Sequence, residues 1–231
     1  SIILSPRQAE AVKNLKYRIS IVTGGPGTGK TTCLRAIMDV YHKVWPSEHI
    51  LLMAPTGLAA KRMAESTGMN SATIHKACGL IPADNPSGFK PQGECRICGF
   101  VGIDEMSMVG EHLFAFAVDA VLNSPSTRIV LLGDTDQLAP VSRGDVLRDL
   151  IECCVIKTVR LDVNYRQGST STITDASIKI RENRAYSGMT RNLKFDDEFN
   201  FISVTDPDAK TEADKIMKTI VEEYRKGVAQ Y

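Results

Sequence analysis

Four glycines and a proline separate an apolar segment from a predicted helix near the N-terminus. The stretch reads IVTGGPGTGKTTCLRA and runs from Ile21 to Ala36. Within it, Gly24 to Thr31 fits the spacing G-x-x-x-x-G-K-[ST], and it follows a predicted strand and opens a predicted helix. Glycines let backbone N–H groups turn inward without Cβ clashes, and a helix N-terminus adds partial positive charge. The pattern therefore predicts a loop that binds phosphate groups.

Two side chains at the end of this loop could act on a bound nucleotide. Lys30 could reach the β and γ phosphates as a point charge, and the hydroxyl of Thr31 is a ligand for Mg²⁺. The sequence has no N-K-x-D motif for reading guanine, so we expect ATP with Mg²⁺. The residues expected to bind the nucleotide at this loop are Gly25, Gly27, Thr28, Gly29, Lys30, Thr31 and Thr32.

A pair of acidic residues follows a second apolar segment, in the stretch FVGIDE. Asp104 ends the predicted strand, and Glu105 comes next. Ligands of parallel sheets bind at the carboxyl ends of the strands, where both carboxylates would lie. We expect Asp104 to hold Mg²⁺ through water and Glu105 to orient or deprotonate an attacking water. This pairing favours hydrolysis of the nucleotide over transfer to a small acceptor.

Apolar strands alternate with helices along the first two thirds of the chain, a pattern typical of a parallel sheet covered by helices on both faces. The predicted strands are Arg18–Thr23, His49–Ala54, the segment ICGFVGID and Arg128–Gly133; the predicted helices begin at Ser5, Lys30, Thr56, Glu111 and Asp145. Ser71–Ala77 is predicted to be a short helix capped by Ser71. The alternation therefore predicts the α/β class, and together with the phosphate-binding loop it predicts the fold of a P-loop NTPase.

Composition narrows the class of protein. The 231 residues carry a formal net charge of +1, so any nucleic acid would have to bind in a local groove. No apolar run is long enough to span a membrane. The six cysteines lack the spacing of a secreted disulfide framework, which favours a reducing, cytoplasmic location.

The order of the motifs resembles that of a known family. LSPRQAEAV, GGPGTGKTT, APTGLAAKRM, TIHKACG, GIDEMSMV, GDTDQLAPV and LDVNYRQ follow one another along the chain. Together they resemble the superfamily-one DNA helicases of the RecD type, including the exodeoxyribonuclease V alpha subunit. The resemblance covers about Leu4 to Gln167. It implies an ATP-dependent helicase or translocase with roles in DNA repair and recombination, whose partners are single-stranded DNA, a duplex junction and other subunits of a nuclease–helicase complex.

The resemblance also implies roles for individual residues. Gln8 would read the adenine edge, a role compatible with the helix-capping box that Ser5 and Gln8 can form. Asp134 and Gln137 match a motif that senses the γ-phosphate, and Arg166 resembles an arginine finger. The residues expected to contact DNA are Pro55, Thr56, Thr73 and His75. The resemblance assigns no role to Arg143.

The expected domain organisation follows from the same resemblance. Residues 1–161 would form the first RecA-like motor domain, and residues 162–231 would begin a second one in which the chain ends. Relatives insert a small duplex-splitting hairpin where residues 79–95 lie. Phe89 and Lys90 would lie near its tip, although an ordinary surface loop accounts for the sequence equally well.

Two other classes of function remain open from the residues. One is a nucleotide-binding module without motor activity, which the chain itself resembles if it lacks half of the ATP cleft. The other is a P-loop kinase of a small molecule, which would be indifferent to DNA. The motif series from Ala54 to Val141 argues against the kinase.

Overall fold

A computed structural model describes residues 3–85, 87–92, 98–121 and 126–163. These residues belong to the first of the two units into which the chain divides, Ser1–Ser169 and Thr170–Tyr231. The helices are α1 Pro6–Lys13, α2 Lys30–Val44, α3 Gly57–Thr67, α4 Ile74–Ala77, α5 Glu111–Val121 and α6 Val146–Glu152, with 3-10 turns at Asn14–Lys16 and Met106–Met108. The strands are β1 Ile19–Gly24, β2 Ile50–Ala54, β3 Ser71–Thr73, β4 Leu80–Pro82, β5 Phe89–Pro91, β6 Phe100–Ile103, β7 Arg128–Gly133 and β8 Lys157–Leu161.

Six of these strands form one parallel sheet in the order β3-β2-β6-β7-β1-β8. β4 and β5 form a separate antiparallel pair. The alternation of apolar strands and helices predicted this arrangement, since parallel neighbours need crossover connections that cover the faces of the sheet. The α/β class is confirmed, and the fold is that of a RecA-like P-loop domain.

The sheet separates two hydrophobic cores. Consecutive strand residues face opposite sides, so Ile21 lies in one core and Val22 in the other. Side chains of α1, α2 and α3 cover one face, and those of α4, α5 and α6 cover the other. Both faces are therefore dry, which accounts for strands that are continuously apolar.

The register of the strands brings their carboxyl ends to a common edge. Thr23 of β1 pairs with Gly133 of β7, and Ala54 of β2 pairs with Thr73 of β3. The backbone N–H of Asp104, just beyond β6, donates to the carbonyl of Met53 at 3.0 Å. The chain therefore leaves β1, β2, β3, β6 and β7 on the same side of the molecule.

One predicted element had the wrong boundary, and one strand was not predicted. Ser71–Ala77 is not one helix: Ser71–Thr73 pairs with β2 as the edge strand β3, and the helix begins at Ile74. Thr73 caps this helix, since its Oγ1 accepts from the N–H of Lys76 at 3.2 Å. The strand β8 was not predicted, because exposed lysine and arginine side chains interrupt its apolar residues. Its buried and exposed residues form a strand only through pairing with β1.

Among the described residues, no helix combines the length and apolar character needed to cross a bilayer. The predicted second domain, residues 162–231, lies outside the described residues apart from Asp162 and Val163.

Candidate functional site

The glycine-rich loop connects β1 to α2 at the carboxyl edge of the sheet, where β1 lies between β7 and β8. Gly27 and Gly29 have φ angles of 78° and 84°, the left-handed region that side chains with a Cβ rarely adopt. A Cβ added to Gly24 would lie 2.6 Å from the carbonyl oxygen of Leu161 in the neighbouring strand β8. Close packing against β8 and left-handed turns together require glycine at these positions.

Lys30 and Thr28 stabilise the loop from within. Lys30 Nζ donates to the carbonyl oxygens of Gly24 and Gly25, at 2.7 and 3.1 Å. The hydroxyl of buried Thr28 also donates to the Gly25 carbonyl, at 2.8 Å. The ammonium group therefore lies over the loop whose backbone N–H groups are expected to bind phosphate. Thr31 and Thr32 lie in the first turn of α2.

Gln8 joins the first helix to this loop. Its carboxamide oxygen accepts from the N–H of Ser5 at 3.0 Å, and the hydroxyl of Ser5 accepts from the N–H of Gln8, which completes the predicted capping box. Its Nε2 donates to the carbonyl of Gly29 at 3.4 Å. With 4% of its surface exposed, Gln8 holds α1 against the loop. Its role in reading adenine stays a prediction.

Asp104 lies beyond β6 at the same edge of the sheet. Burial raises the pKa of its carboxyl, a direction that the repulsion from Glu105 reinforces. The hydrogen bond from the N–H of Glu105, at 2.8 Å to Oδ1, and the positive charge of Lys30 lower that pKa. Asp104 is therefore close enough to Lys30 for the charge of the lysine to act on its carboxyl.

Glu105 has an unusual backbone and an unsatisfied side chain. Its φ of 53° and ψ of 42° lie in the left-handed region, which is uncommon for a residue with a Cβ. Residues with such backbone conformations are found mostly at functional sites. Its Oε2 is buried and has no hydrogen-bond partner among the described residues. A buried carboxylate oxygen of this kind is available to accept a proton from a bound water.

Asp134 and Gln137 lie on the turn after β7, the strand between β1 and β6. Asp134 is 3% exposed, and its Oδ1 accepts from the N–H of Asp136 at 3.0 Å. The N–H of Gln137 donates to the carbonyl of Asp134 at 3.2 Å. The turn therefore lies between the strand of the glycine loop and the strand of Asp104.

The residues expected to contact DNA cluster at the ends of β2 and β3. Pro55 and Thr56 follow β2, while Thr73 ends β3 and His75 lies in the first turn of α4. The Oγ1 of Thr56 caps α3 by accepting from the N–H of Ala59 at 3.2 Å. Each threonine thus caps a helix, and the structure brings the two motifs side by side. Contact with DNA stays a prediction.

The hairpin β4–β5 packs on this cluster. The ring of Phe89 lies 4.4 Å from that of His75, measured between centroids. Burial lowers the pKa of His75, whose Nε2 has no hydrogen-bond partner among the described residues. Phe89 and Lys90 both lie in β5, and Phe89 pairs with Pro82 at the end of the hairpin next to the turn around Asn85 and Gly88, as expected for a residue near the tip.

Two contacts near the acidic pair were not predicted from the sequence. Ser107, in the 3-10 turn after Glu105, donates from its Oγ to the Oε1 of Gln137 at 3.3 Å. Met106 is fully buried, and a Cβ on Gly133 would lie 3.2 Å from its Cβ. In the sequence, only the glycine that ends β7 and the serine in DEMSM indicate such close packing.

The described residues fit a bound nucleotide. The loop turns through left-handed glycines at Gly27 and Gly29, Lys30 lies over it, and Glu105 presents a buried Oε2 with no hydrogen-bond partner among the described residues. Asp104 and the hydroxyl of Thr31 are oxygen donors of the kind that Mg²⁺ prefers. Arg166, the expected arginine finger, lies outside the described residues.

Comparison with known proteins gives the family. The AAA domain family matches residues 3–206. Among curated proteins, the chain is 36% identical over 176 residues to the ATP-dependent RecD2 DNA helicase of Deinococcus radiodurans, covering 75% of this chain and 23% of that protein. It is 36% identical over 168 residues to the RecBCD enzyme subunit RecD of Mycolicibacterium smegmatis, covering 63% of this chain and 30% of that protein.

Among solved structures, the chain is similar to Bacteroides Pif1 bound to single-stranded DNA, with a TM-score of 0.57 and 20% identity over 80% of this chain and 47% of that chain. This likeness supports the fold. The chain spans about a quarter to a third of the length of the curated relatives named here. Those relatives confirm the resemblance to RecD-type helicases drawn from the motifs. The chain belongs to the AAA domain family.

Proposed function

We propose that this chain is the ATP-hydrolysing core of a DNA helicase or translocase. One observation carries the proposal: the phosphate loop, the acidic pair, the Asp134–Gln137 turn and the Thr56–His75 cluster lie at the carboxyl ends of adjoining strands. A nucleotide site and a strand-binding site on one sheet edge are what coupling of hydrolysis to movement requires. The similarity to a protein named as a DNA helicase supports the choice of DNA.

Each part of the nucleotide site has a proposed task. The loop from Gly25 to Thr32 binds the phosphates of ATP, with Lys30 over the β and γ groups. Thr31 and Asp104 hold Mg²⁺, which when bound neutralises charge that develops on the phosphates. Glu105 accepts the proton of the attacking water through its unpartnered Oε2.

The remaining assignments extend the site beyond the loop. Gln8 binds the base, Gln137 responds to the terminal phosphate, and Arg166 acts as an arginine finger. Single-stranded DNA crosses the first domain at Pro55, Thr56, Thr73 and His75. The hairpin β4–β5 meets a duplex junction, and other subunits of a nuclease–helicase complex are candidate partners.

The test is steady-state ATP hydrolysis by the chain, with and without single-stranded DNA. We expect stimulation by the DNA, and loss of activity in Lys30→Ala, which serves as the blank. Glu105→Gln should bind ATP as the parent does but hydrolyse it at least about 100-fold more slowly, because it lacks the basic oxygen. Near-parental turnover by Lys30→Ala would remove the phosphate loop from the proposal.

The outcome with DNA separates the alternatives. Hydrolysis indifferent to single-stranded DNA would favour a nucleotide-binding module without motor activity. Phosphate transfer to a small acceptor, again indifferent to DNA, would favour a kinase. In either case the assignments at Thr56 and His75 would be withdrawn first.

A further inference from the structure

Two segments, one carrying Glu105 and the other carrying Gln137, lie against each other along their length. The first is residues 105–111, just beyond β6, and the second is residues 133–144, which begin at the last residue of β7. At the near end, a Cβ on Gly133 would lie 3.3 Å from the backbone nitrogen of Met106. At the far end, the N–H of Glu111 donates to the carbonyl of Arg143 at 2.9 Å. That contact gives the Arg143 backbone a structural role.

A side-chain hydrogen bond joins the two segments between these ends. Ser107 is 4% exposed, and its hydroxyl donates to the Oε1 of Gln137 at 3.3 Å. The backbone N–H of Gln137 is held in turn by the carbonyl of Asp134. The backbone of Gln137 and the oxygen of its carboxamide are therefore both fixed, whereas most of the residue is exposed to solvent.

The orientation of a carboxamide decides what it can bind. Its oxygen only accepts hydrogen bonds, and its Nε2 only donates them. Phosphate oxygens are acceptors, so only Nε2 can bind them, whereas an attacking water could be bound by either end. In the structure the carboxamide is turned so that its Oε1 meets the hydroxyl of Ser107, which leaves Nε2 as the end offered to a ligand.

We propose that Ser107 is a positioning residue that orients Gln137 as a hydrogen-bond donor to the terminal phosphate of the bound nucleotide. This inference rests on the proposed nucleotide site. It assigns Gln137 to the terminal phosphate, as a donor, instead of to the attacking water. Because the hydrogen bond joins the turn after Glu105 to the turn after β7, a terminal phosphate bound by Gln137 would affect the conformation of both turns. Ser107 itself touches neither nucleotide nor metal.

The test compares affinities of the full 231-residue chain for ADP and for a non-hydrolysable ATP analogue, both with Mg²⁺, by isothermal titration calorimetry. Ser107→Ala should weaken binding of the analogue roughly threefold to tenfold, the typical effect of one hydrogen bond, and leave ADP binding unchanged. In a Gln137→Ala background, Ser107→Ala should have no further effect, since it acts only through that carboxamide. A fall in affinity for both nucleotides alike, or effects that multiply in the double variant, would overturn the inference.

Two further variants make the result specific. Ser142→Ala removes an exposed hydroxyl from the same pair of segments and should leave both affinities as in the parent. Gln137→Glu keeps the shape of the side chain but offers only acceptors, so the preference for the analogue over ADP should disappear. If that preference survives in Gln137→Glu, or if the parent has none, Gln137 is not a donor to the phosphate. Failure of the parent to bind either nucleotide would instead refute the proposed nucleotide site.

Discussion

Ionisation of the Asp104 carboxyl lowers the stability of the fold but is needed for binding Mg²⁺. Its carboxyl is largely buried at the end of β6, and burial raises its pKa above the ordinary value of 3.8. The native state therefore holds its proton at a pH where the unfolded chain has released it. Stability falls as pH rises from that ordinary value through the raised pKa, and the cost persists at neutral pH. A ligand for Mg²⁺ must nevertheless be ionised, so the site retains a destabilising charge.

Replacing Asp104 by asparagine should therefore stabilise the protein at neutral pH. The asparagine side chain cannot ionise, and its amide oxygen can still accept from the N–H of Glu105. We expect the melting temperature of Asp104→Asn to rise at pH 7, with a gain that shrinks toward zero as the pH approaches 3.8. Thermal unfolding followed by circular dichroism across that range measures both.

The matched control is Asp119→Asn, which neutralises an exposed carboxylate of α5. Its melting temperature should change little at any pH. A lower melting temperature for Asp104→Asn at pH 7 would mean that the ionised carboxylate stabilises the fold, contrary to the direction argued from burial. ATP hydrolysis by the same variant should fall, since the amide is a poorer ligand for Mg²⁺.

Elements, rather than single side chains, hold the turn after the acidic pair in place. The 3-10 turn Met106–Met108 packs between β7 and α6, with Met106 fully buried. This approach depends on Gly133, where a Cβ would lie 2.6 Å from Leu147 Cδ2 as well as close to Met106. The absence of a side chain at the end of β7 thus determines how close the turn and α6 come to the strand.

We expect Gly133→Ala to lower the free energy of unfolding by about 1–3 kcal/mol, the usual cost of overpacking a tight interior. Urea unfolding measures this change. Gly57→Ala is the control, since Gly57 begins α3 and an added Cβ there meets nothing within 4 Å. That variant should be as stable as the parent or slightly more stable. Equal stability of Gly133→Ala and the parent would show that Leu147 and Met106 adjust freely.

The hairpin β4–β5 covers His75 through the ring of Phe89. Since burial lowers the pKa of His75, removal of the ring should return that pKa toward 6.5. We expect this rise in Phe89→Ala, measured by titrating the imidazole protons by NMR. Lys90→Ala, at the exposed neighbouring position of β5, should leave the pKa as in the parent. An unchanged pKa in Phe89→Ala would assign the burial of His75 to α4 and the sheet instead.

For the chain as a whole, the proposed ligand should stabilise the folded state. A nucleotide that binds only the native protein raises the free energy of unfolding by about 2.7 kcal/mol at a concentration of 100 times its Kd. We expect the melting temperature to rise with ATP and Mg²⁺, and the gain to shrink when EDTA removes the metal. Lys30→Ala should show no gain over its own melting temperature measured without nucleotide. A gain retained in Lys30→Ala would indicate binding at another place.

Several parts of the molecule were predictable because they depend on local pattern. The phosphate loop, the capping box of Ser5 and Gln8, and the strands that precede Gly24, Asp104 and Asp134 follow from turn chemistry and continuous apolar runs. Those rules concern residues close together in the chain. Such rules did not predict the strands β3 and β8, because each is defined by pairing with a strand distant in sequence.

The sequence was sufficient to predict the class of fold, the phosphate loop and the order of the motifs, since glycine spacing, hydropathy and helix caps act over a few residues. The tertiary structure was needed to pair Ser107 with Gln137, Phe89 with His75, and Gly133 with Met106. These contacts depend on the strand order β3-β2-β6-β7-β1-β8 and on the packing of loops beyond it. Many strand orders are compatible with the same alternation of apolar strands and helices, because burial is non-directional and does not specify which buried strands are neighbours.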